Sequence, residues 1–432
     1  MPSLCPGRPA ALVAVWLALV LVVGSVSSCS TSNQHRTASP GQAPVIKSFA
    51  PPYTGKPTLT PDMTDDGPGS LVSVEPYAQG AELLDDDEAT YMRVVYKSTS
   101  GIDGKPTEVS AALAIPAGQP PKGGWPVVGF GQGTKGVLFK CAASLFATLP
   151  KQQWSMDQFI HAGYAVAATD FQGSGVKGYA HPFLDAKTYG YNVIDSVRAL
   201  RHVGGKLISD KWLTYGHSAG GLAVWAAAEE APEYGKGMNL LGSIAMAPAA
   251  DMSGLADAAW NGTLTPEQRV TMVYALQSIK WFHPEMNLDE FRSGVTAANW
   301  DLVLNCIPMD FAKVKQVWET MTNADVKPRT YEDTVWLRNI LAERAIPSTR
   351  RIETPLVVAY GTQDGLVDQA WFDAAIKKAC AMGSNLEIKK DPGKGHADLD
   401  QGFVMSWLAD RVAGIPAPPS NCAEWQKSEA PK

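Results

Sequence analysis

Between residues 91 and 247 the chain alternates short apolar or β-branched runs with longer segments whose apolar positions recur at helical spacing. The runs 91–99 and 107–115 read as early strands, since alternating or β-branched residues lie between turn residues. Gly101-Ile102-Asp103-Gly104 between them reads as a hairpin connection. Short buried strands are predicted over 127–130, 165–169, 212–215 and 240–247. Segment 188–202 predicts a helix with Tyr189, Val193, Val197 and Leu200 on a broadly shared face, and the alanine-rich 219–230 predicts another. Further on, strands at 356–360 and 386–389 alternate with helices at 369–381 and 402–409. Apolar strands separated by helices of this length imply an α/β fold, a mostly parallel sheet covered on both faces. The stretch 251–350 breaks this rhythm. It holds Trp260, Tyr274, Trp281, Phe282, Phe291 and Trp300 among several helix-like segments, and reads as an inserted, largely helical cap over a site.

The N-terminal pattern is different again. Arg8 precedes an apolar run over 10–23, 14 residues long. That is too short to cross a bilayer comfortably and fits the core of a signal peptide. No other stretch is apolar for long enough to span, so a multi-span membrane protein is excluded. Val26-Ser27-Ser28-Cys29 resembles a bacterial lipobox, which would make Cys29 the lipidated N-terminus. A plain secretory signal cleaved nearby, with Cys29 incidental, is the other reading. The expected organisation is a signal peptide over 1–28, a flexible tether over 29–61, the first part of the core over 62–250, the cap over 251–350, the second part of the core over 351–412, and a tail over 413–432. The tether is rich in Ser, Thr, Pro and Gln and would hold the domain off a membrane surface. The protein is therefore expected to be exported, either anchored in the bacterial cell envelope or secreted.

Export places the folded part where disulfides persist. Cys141, Cys306, Cys380 and Cys422 allow three pairings. Cys141–Cys306 with Cys380–Cys422 is preferred, because the first ties an early loop to the insertion and the second pins the tail. The sequence leaves the choice open. With 45% hydrophobic and 19% charged residues, the chain has the composition of a folded protein. A net charge of -6 over 432 residues is too mildly acidic to point to nucleic acid as the main partner. Oligomeric state is not readable.

The sharpest chemical signal is Gly216-His217-Ser218-Ala219-Gly220, which follows a predicted strand and opens a small-residue helix. That context defines a nucleophile elbow. The serine sits on a tight turn, and the positions two before and two after it must be small because the helix packs close to the strand. Gly216 and Gly220 meet this requirement. The side chain of His217 is expected to point away from the serine hydroxyl. A serine hydroxyl needs a base, and the base needs an acid to orient it. The strand 356–360 ends in Gly361-Thr362-Gln363-Asp364, which supplies Asp364 just after a late strand. Asp368 is its rival but reads better as a helix cap. The loop Asp391-Pro392-Gly393-Lys394-Gly395-His396 supplies His396 as general base.

The third requirement is a pair of donors for a developing oxyanion. The N–H of Ala219 is one. The second is expected from Gln132 or Gly133 in Gly131-Gln132-Gly133-Thr134-Lys135-Gly136, with the Thr134 hydroxyl as a further donor. This loop lacks the full phosphate-binding and dinucleotide patterns. No cofactor and no metal are expected; the acidic runs Asp65-Asp66 and 85–88 read as solvated surface.

These motifs together resemble the secretory lipase family of the α/β-hydrolase fold, known from actinobacteria and fungi. The resemblance lies in 126–141, in Thr169-Asp170-Phe171-Gln172-Gly173-Ser174-Gly175, in His181-Pro182-Phe183, in 190–200, in 216–221 with 226–234, and in 361–364 with His396, and so spans roughly residues 90–410. It implies a helical cap, Ser218, Asp364 and His396 as a triad, fatty-acyl esters as substrates, and an exported, cofactor-free enzyme. One departure stands out: where the family has His in its H-G-T-x-G loop, this chain has Gln132. The resemblance points to a serine carboxylic-ester hydrolase, a lipase. Three alternatives share the residues: a short-chain or non-lipid carboxylesterase, an amidase, peptidase or acyltransferase, and a catalytically inactive binding lipoprotein. The cap aromatics could line an acyl tunnel, touch a lipid interface or simply fill the cap's core.

Overall fold

The computed structural model describes residues 55–77, 89–146, 153–306, 311–348 and 350–429. The signal segment, Cys29, the tether as far as residue 54 and the acidic run 85–88 lie outside the described residues.

The strands are β1 (Leu71–Pro76), β2 (Ala89–Thr99), β3 (Pro106–Pro116), β4 (Trp125–Gly131), β5 (Ala165–Thr169), β6 (Ile208–His217), β7 (Asn239–Met246), β8 (Leu356–Gly361) and β9 (Leu386–Asp391). The helices are α1 (Gln153–His161), α2 (Ala186–Gly204), α3 (Ala219–Glu230), α4 (Gly254–Asn261), α5 (Pro266–Phe282), α6 (Gly294–Ala298), α7 (Trp300–Val303), α8 (Phe311–Thr320), α9 (Tyr331–Glu343), α10 (Gln369–Ala381), α11 (Val404–Val412) and α12 (Cys422–Ser428). The strands form one nine-stranded sheet in the order β1-β2-β3-β5-β4-β6-β7-β8-β9. β1 to β3 form an antiparallel meander, and β3 joins β5 antiparallel. From β5 through β4 to β9 every pairing is parallel. The expected hairpin is present, with an unbroken β2–β3 register from Ala89 opposite Pro116 to Thr99 opposite Pro106.

Strand β4 shows why the sheet is covered on both faces. Successive strand residues point to opposite sides. A Cβ on Gly129 would lie 3.1 Å from Val197 of α2. The next residue, Phe130, meets Phe159 of α1 edge-on, with ring centroids 6.3 Å apart. Helices α2 and α3 pack closely because Gly190 has no side chain; a Cβ there would lie 2.8 Å from the Ala226 carbonyl carbon. Between β7 and β8 the chain runs through α4 to α9, the inserted helical region.

Strand β1 and helices α1 and α12 were not expected from the pattern. β7 stops one residue short of its predicted end, because Ala247 turns to a φ of 40°. Both preferred disulfides form: Cys141–Cys306 across 165 residues and Cys380–Cys422 across 42. Of the acidic pair, Asp66 is bonded to Lys97 and Asp65 lies 3.3 Å from His202. Among the described residues, no helix is long and apolar enough to cross a membrane.

Candidate active site

Ser218 sits between the end of β6 and the start of α3 with φ 61° and ψ -122°. This is strained backbone for a residue with a side chain. The glycines around it make the turn fit. A Cβ on Gly220 would lie 1.9 Å from the Gly131 carbonyl oxygen, and one on Gly216 would lie 2.2 Å from that of Gly220. No side chain fits at either position. The turn is held from below: Ser218 N–H donates to the Met246 carbonyl at 2.9 Å, and its own carbonyl accepts from Leu222 and Ala249 at 3.0 and 3.1 Å.

His396 and Asp364 arrive on neighbouring loops, after β9 and β8. The loops are laced together, with Gln363 N–H donating to the Lys394 carbonyl at 2.8 Å and Gly393 N–H to the Thr362 hydroxyl at 2.8 Å. Gly361 lets them approach, since a Cβ there would lie 2.2 Å from the Lys394 carbonyl oxygen. His396 Nε2 lies 2.8 Å from Ser218 Oγ, and His396 Nδ1 lies 2.7 Å from Asp364 Oδ2. The Asp364 side chain is fully buried. Its other oxygen accepts from the N–H groups of Leu366 and Val367 at 2.8 and 2.9 Å. An ionised carboxylate only accepts, so Nδ1 carries the imidazole proton and Nε2 faces the serine with its lone pair. Asp368 caps α10, accepting from Ala370 N–H at 2.8 Å. The described site thus brings Ser218, His396 and Asp364 into one hydrogen-bonded line and leaves Asp368 out of it.

Ala219 is the first residue of α3, where an N–H has no acceptor within its own helix. Gly133 lies beside the serine; a Cβ on it would be 3.8 Å from the Ser218 Cβ. Gly133 and Thr134 line the same cavity as Ser218. Gln132 does not. Its side chain turns inward, and its amide donates to the Thr169 carbonyl and, at 3.0 Å, to Asp170. Asp170 is buried and also accepts from Ser110 Oγ at 2.6 Å and Ser144 N–H at 3.0 Å. Burial pushes its pKa up, and these bonds pull the other way. The side chain that departs from the family pattern therefore ties the loop to the core rather than lining the cavity above Ser218. The sequence showed Gln132 and Asp170 but not that they meet.

The cavity above Ser218 has a volume of about 980 Å³. Its floor includes Phe130, Tyr215 and His217, and its far wall comes from α5 and α8. Glu267, Val270, Thr271 and Tyr274 line it from α5 at the spacing of a single helix face, and Trp318 lines it from α8. Of the cap aromatics singled out above, only Tyr274 lines this cavity. Three of the others knit the cap: Trp300 donates to Gln277 at 2.7 Å, Trp260 meets Tyr331 edge-on, and Phe291 packs on Trp336. Helix α5 is docked on the loop that carries the acid. The Thr265 hydroxyl donates to the Gly365 carbonyl at 2.6 Å and the Gln268 amide to the Leu366 carbonyl at 3.2 Å.

His217 makes its bond to His396 rather than to the serine hydroxyl, which is met by His396 Nε2. Its ring lies against His396, centroids 4.9 Å apart, and its Nε2 is 2.6 Å from the His396 carbonyl oxygen. Burial, and the neighbouring His396, drive its pKa down to about 4. His181 is also held near 4 by burial, with its Nδ1 2.7 Å from the Gln172 carbonyl oxygen and its Nε2 2.8 Å from the Tyr189 hydroxyl.

A mostly parallel sheet with helices on both faces, a serine on a strained strand-to-helix turn and a helical insertion define an α/β-hydrolase with a cap. The chain belongs to the secretory lipase family, whose pattern matches residues 145–419. A Mycobacterium tuberculosis protein that carries the name "Probable inactive lipase" is 23% identical over 352 residues, 76% of this chain and 74% of that protein. Among solved structures, lipase A of Candida antarctica in its closed state superposes with a TM-score of 0.65 at 16% identity, over 88% of this chain and 89% of that one. The rice cell wall degrading esterase LipA of Xanthomonas oryzae gives 0.60 at 19% identity, over 81% and 97%. At these identities the superpositions speak to fold alone.

Proposed function

We propose that the protein is a serine carboxylic-ester hydrolase, a lipase that cleaves fatty-acyl esters through an acyl-enzyme. The observation that carries this is the unbroken line of hydrogen bonds from Asp364 through His396 to Ser218, opening on a large cavity to which Phe183, Leu184, Met252, Val270 and Trp318 contribute apolar wall. Asp364 holds the His396 tautomer. His396 takes the Ser218 proton as the hydroxyl attacks the ester carbonyl. The N–H groups of Ala219 and of the Gly133–Thr134 region stabilise the oxyanion, each by on the order of 3 kcal/mol. His396 then protonates the leaving alcohol. Water activated by the same histidine clears the acyl group, and no cofactor takes part. The 980 Å³ cavity favours a long acyl chain over a short one.

A second reading, a non-catalytic binding protein, draws on the mycobacterial relative named as inactive. It is disfavoured because serine, histidine and acid are all present here and bonded to one another. The apolar run 10–23 followed by Val26-Ser27-Ser28-Cys29 supports export and anchoring at Cys29.

The test is hydrolysis of an ester series from acetyl to stearoyl, with wild type and Ser218→Ala side by side. Wild type is expected to turn over with its optimum among the longer chains. The variant is expected to lose about 10⁴-fold or more in kcat. A variant that keeps its rate sinks the assignment of Ser218. A wild type inert across the whole series favours the binding protein.

A further inference from the structure

We propose that His217, the residue before the nucleophile, is a positioning residue that sets the height of His396 over Ser218; the proposal rests on the ester-hydrolase reading above. His217 is the last residue of β6, so the tight turn that fixes Ser218 also fixes the root of this side chain. From that rigid base its imidazole spans to the loop after β9 and meets the backbone of His396 itself, with Nε2 2.6 Å from the carbonyl oxygen. A carbonyl only accepts, so Nε2 carries the proton and donates. One hydrogen bond therefore links the element bearing the nucleophile to the main chain bearing the base.

The loop that carries His396 is pinned on both sides of that residue, with Asp400 N–H donating to Asp391 Oδ2 at 2.9 Å beyond it. Gln363 N–H holds the Lys394 carbonyl, and Gly395 N–H donates to Asp398 at 2.6 Å. Rotation about the backbone bonds on either side of the His396 Cα would displace its imidazole together with its carbonyl. The bond from His217 opposes that rotation at the point where it matters, and proton transfer falls off steeply with misplacement of about 1 Å. The same environment suits the role. Burial and the adjacent His396 keep the His217 imidazole uncharged at neutral pH. It can thus hold the carbonyl without repelling the imidazolium that forms on His396 during attack. A lysine or arginine would offer a donor but would add a like charge next to that imidazolium.

The experiment compares wild type, His217→Leu and His217→Gln in steady-state ester hydrolysis, in reaction with a fluorophosphonate probe and in thermal unfolding. The leucine fills space without a donor, whereas the glutamine amide reaches about as far as Nε2. His217→Leu is expected to lower kcat by about ten- to a hundredfold with KM within about twofold. Its labelling by the probe should slow in parallel. His217→Gln is expected to recover to within about threefold of wild type, and both variants to keep the wild-type unfolding midpoint. A wild-type kcat in the leucine variant, a change in KM alone, or equal losses in both variants overturns the proposal. If those results come from a wild type that is active and labelled at Ser218, the proposal falls alone. If wild type neither hydrolyses esters nor reacts at Ser218, the proposal and the ester-hydrolase reading fall together.

Discussion

On the sheet side of the cavity, backbone meets backbone. Gly131, Gly216 and Gly220 interlock with no room for a methyl group, and the serine is held at φ 61° by bonds from β7 and α3. On the cap side, side chains meet side chains. Helix α5 presents Glu267, Val270, Thr271 and Tyr274 to the cavity, and α8 adds Trp318. The first region permits one geometry and stores strain. The second permits many, because changing a side chain on a helix face leaves the helix in place. On the proposed function, reaction type is built into the rigid side and substrate shape into the adaptable one. The joints between them include the Thr265 and Gln268 bonds onto the acid loop, the Ser278 hydroxyl between Phe183 N–H and the His181 carbonyl, and the Cys141–Cys306 bridge.

The contrast breaks most visibly at Gly220. Gly220→Val puts its Cβ where the Gly131 carbonyl oxygen already lies, 1.9 Å away. It should abolish turnover and lower stability by about 3 kcal/mol or more, read from the denaturant midpoint. If the variant stays folded and active, the sheet side is not rigid. Next comes the joint. Cys306→Ser frees a constraint across 165 residues and should remove about 2–5 kcal/mol of stability. Short-ester turnover measured below the new unfolding midpoint should persist, since no triad bond is touched. Loss of that turnover would mean that the bridge shapes the chemistry as well. The smallest effect sharpens the cap side. Val270→Trp fills the cavity from α5 and should cut hydrolysis of the longest esters about tenfold relative to the shortest. An unchanged chain-length profile would place the acyl group elsewhere.

The two regions also differ in how much of them the sequence revealed. The parallel strands are short, apolar and β-branched, and alternate with helices, so their existence and order are readable. β1 is not, because LVSVEP is an edge strand with half of its residues exposed and little periodic signal. Helix α1 carries Met156, Phe159 and Ile160 inward within a polar run, and its pattern is weak. The elbow, Asp364 and His396 follow from local turn chemistry and chain order. The preferred disulfide pairing holds as well, although Cys422 opens α12, a helix that the pattern did not predict. What escaped the sequence are contacts between residues far apart in it: Gln132 on Asp170, Thr265 on Gly365, and His217 on the carbonyl of His396. No local pattern encodes these, because each depends on two loops folding to the same height.

Helix α5 reads as one face turned to the cavity and another, with Met272, Leu276 and Ile279, sunk in the core. On the proposed function, natural selection can therefore alter substrate preference one codon at a time along the cavity face, while the buried face and the Thr265–Gln268 capping box hold the helix in register. Lineages descended from such a gene should diverge first at positions 267, 270, 271 and 274 and last at 216, 218 and 220. On the proposed ester-hydrolase reading, chain-length preference is the mutable trait and the attack on the ester the inherited one.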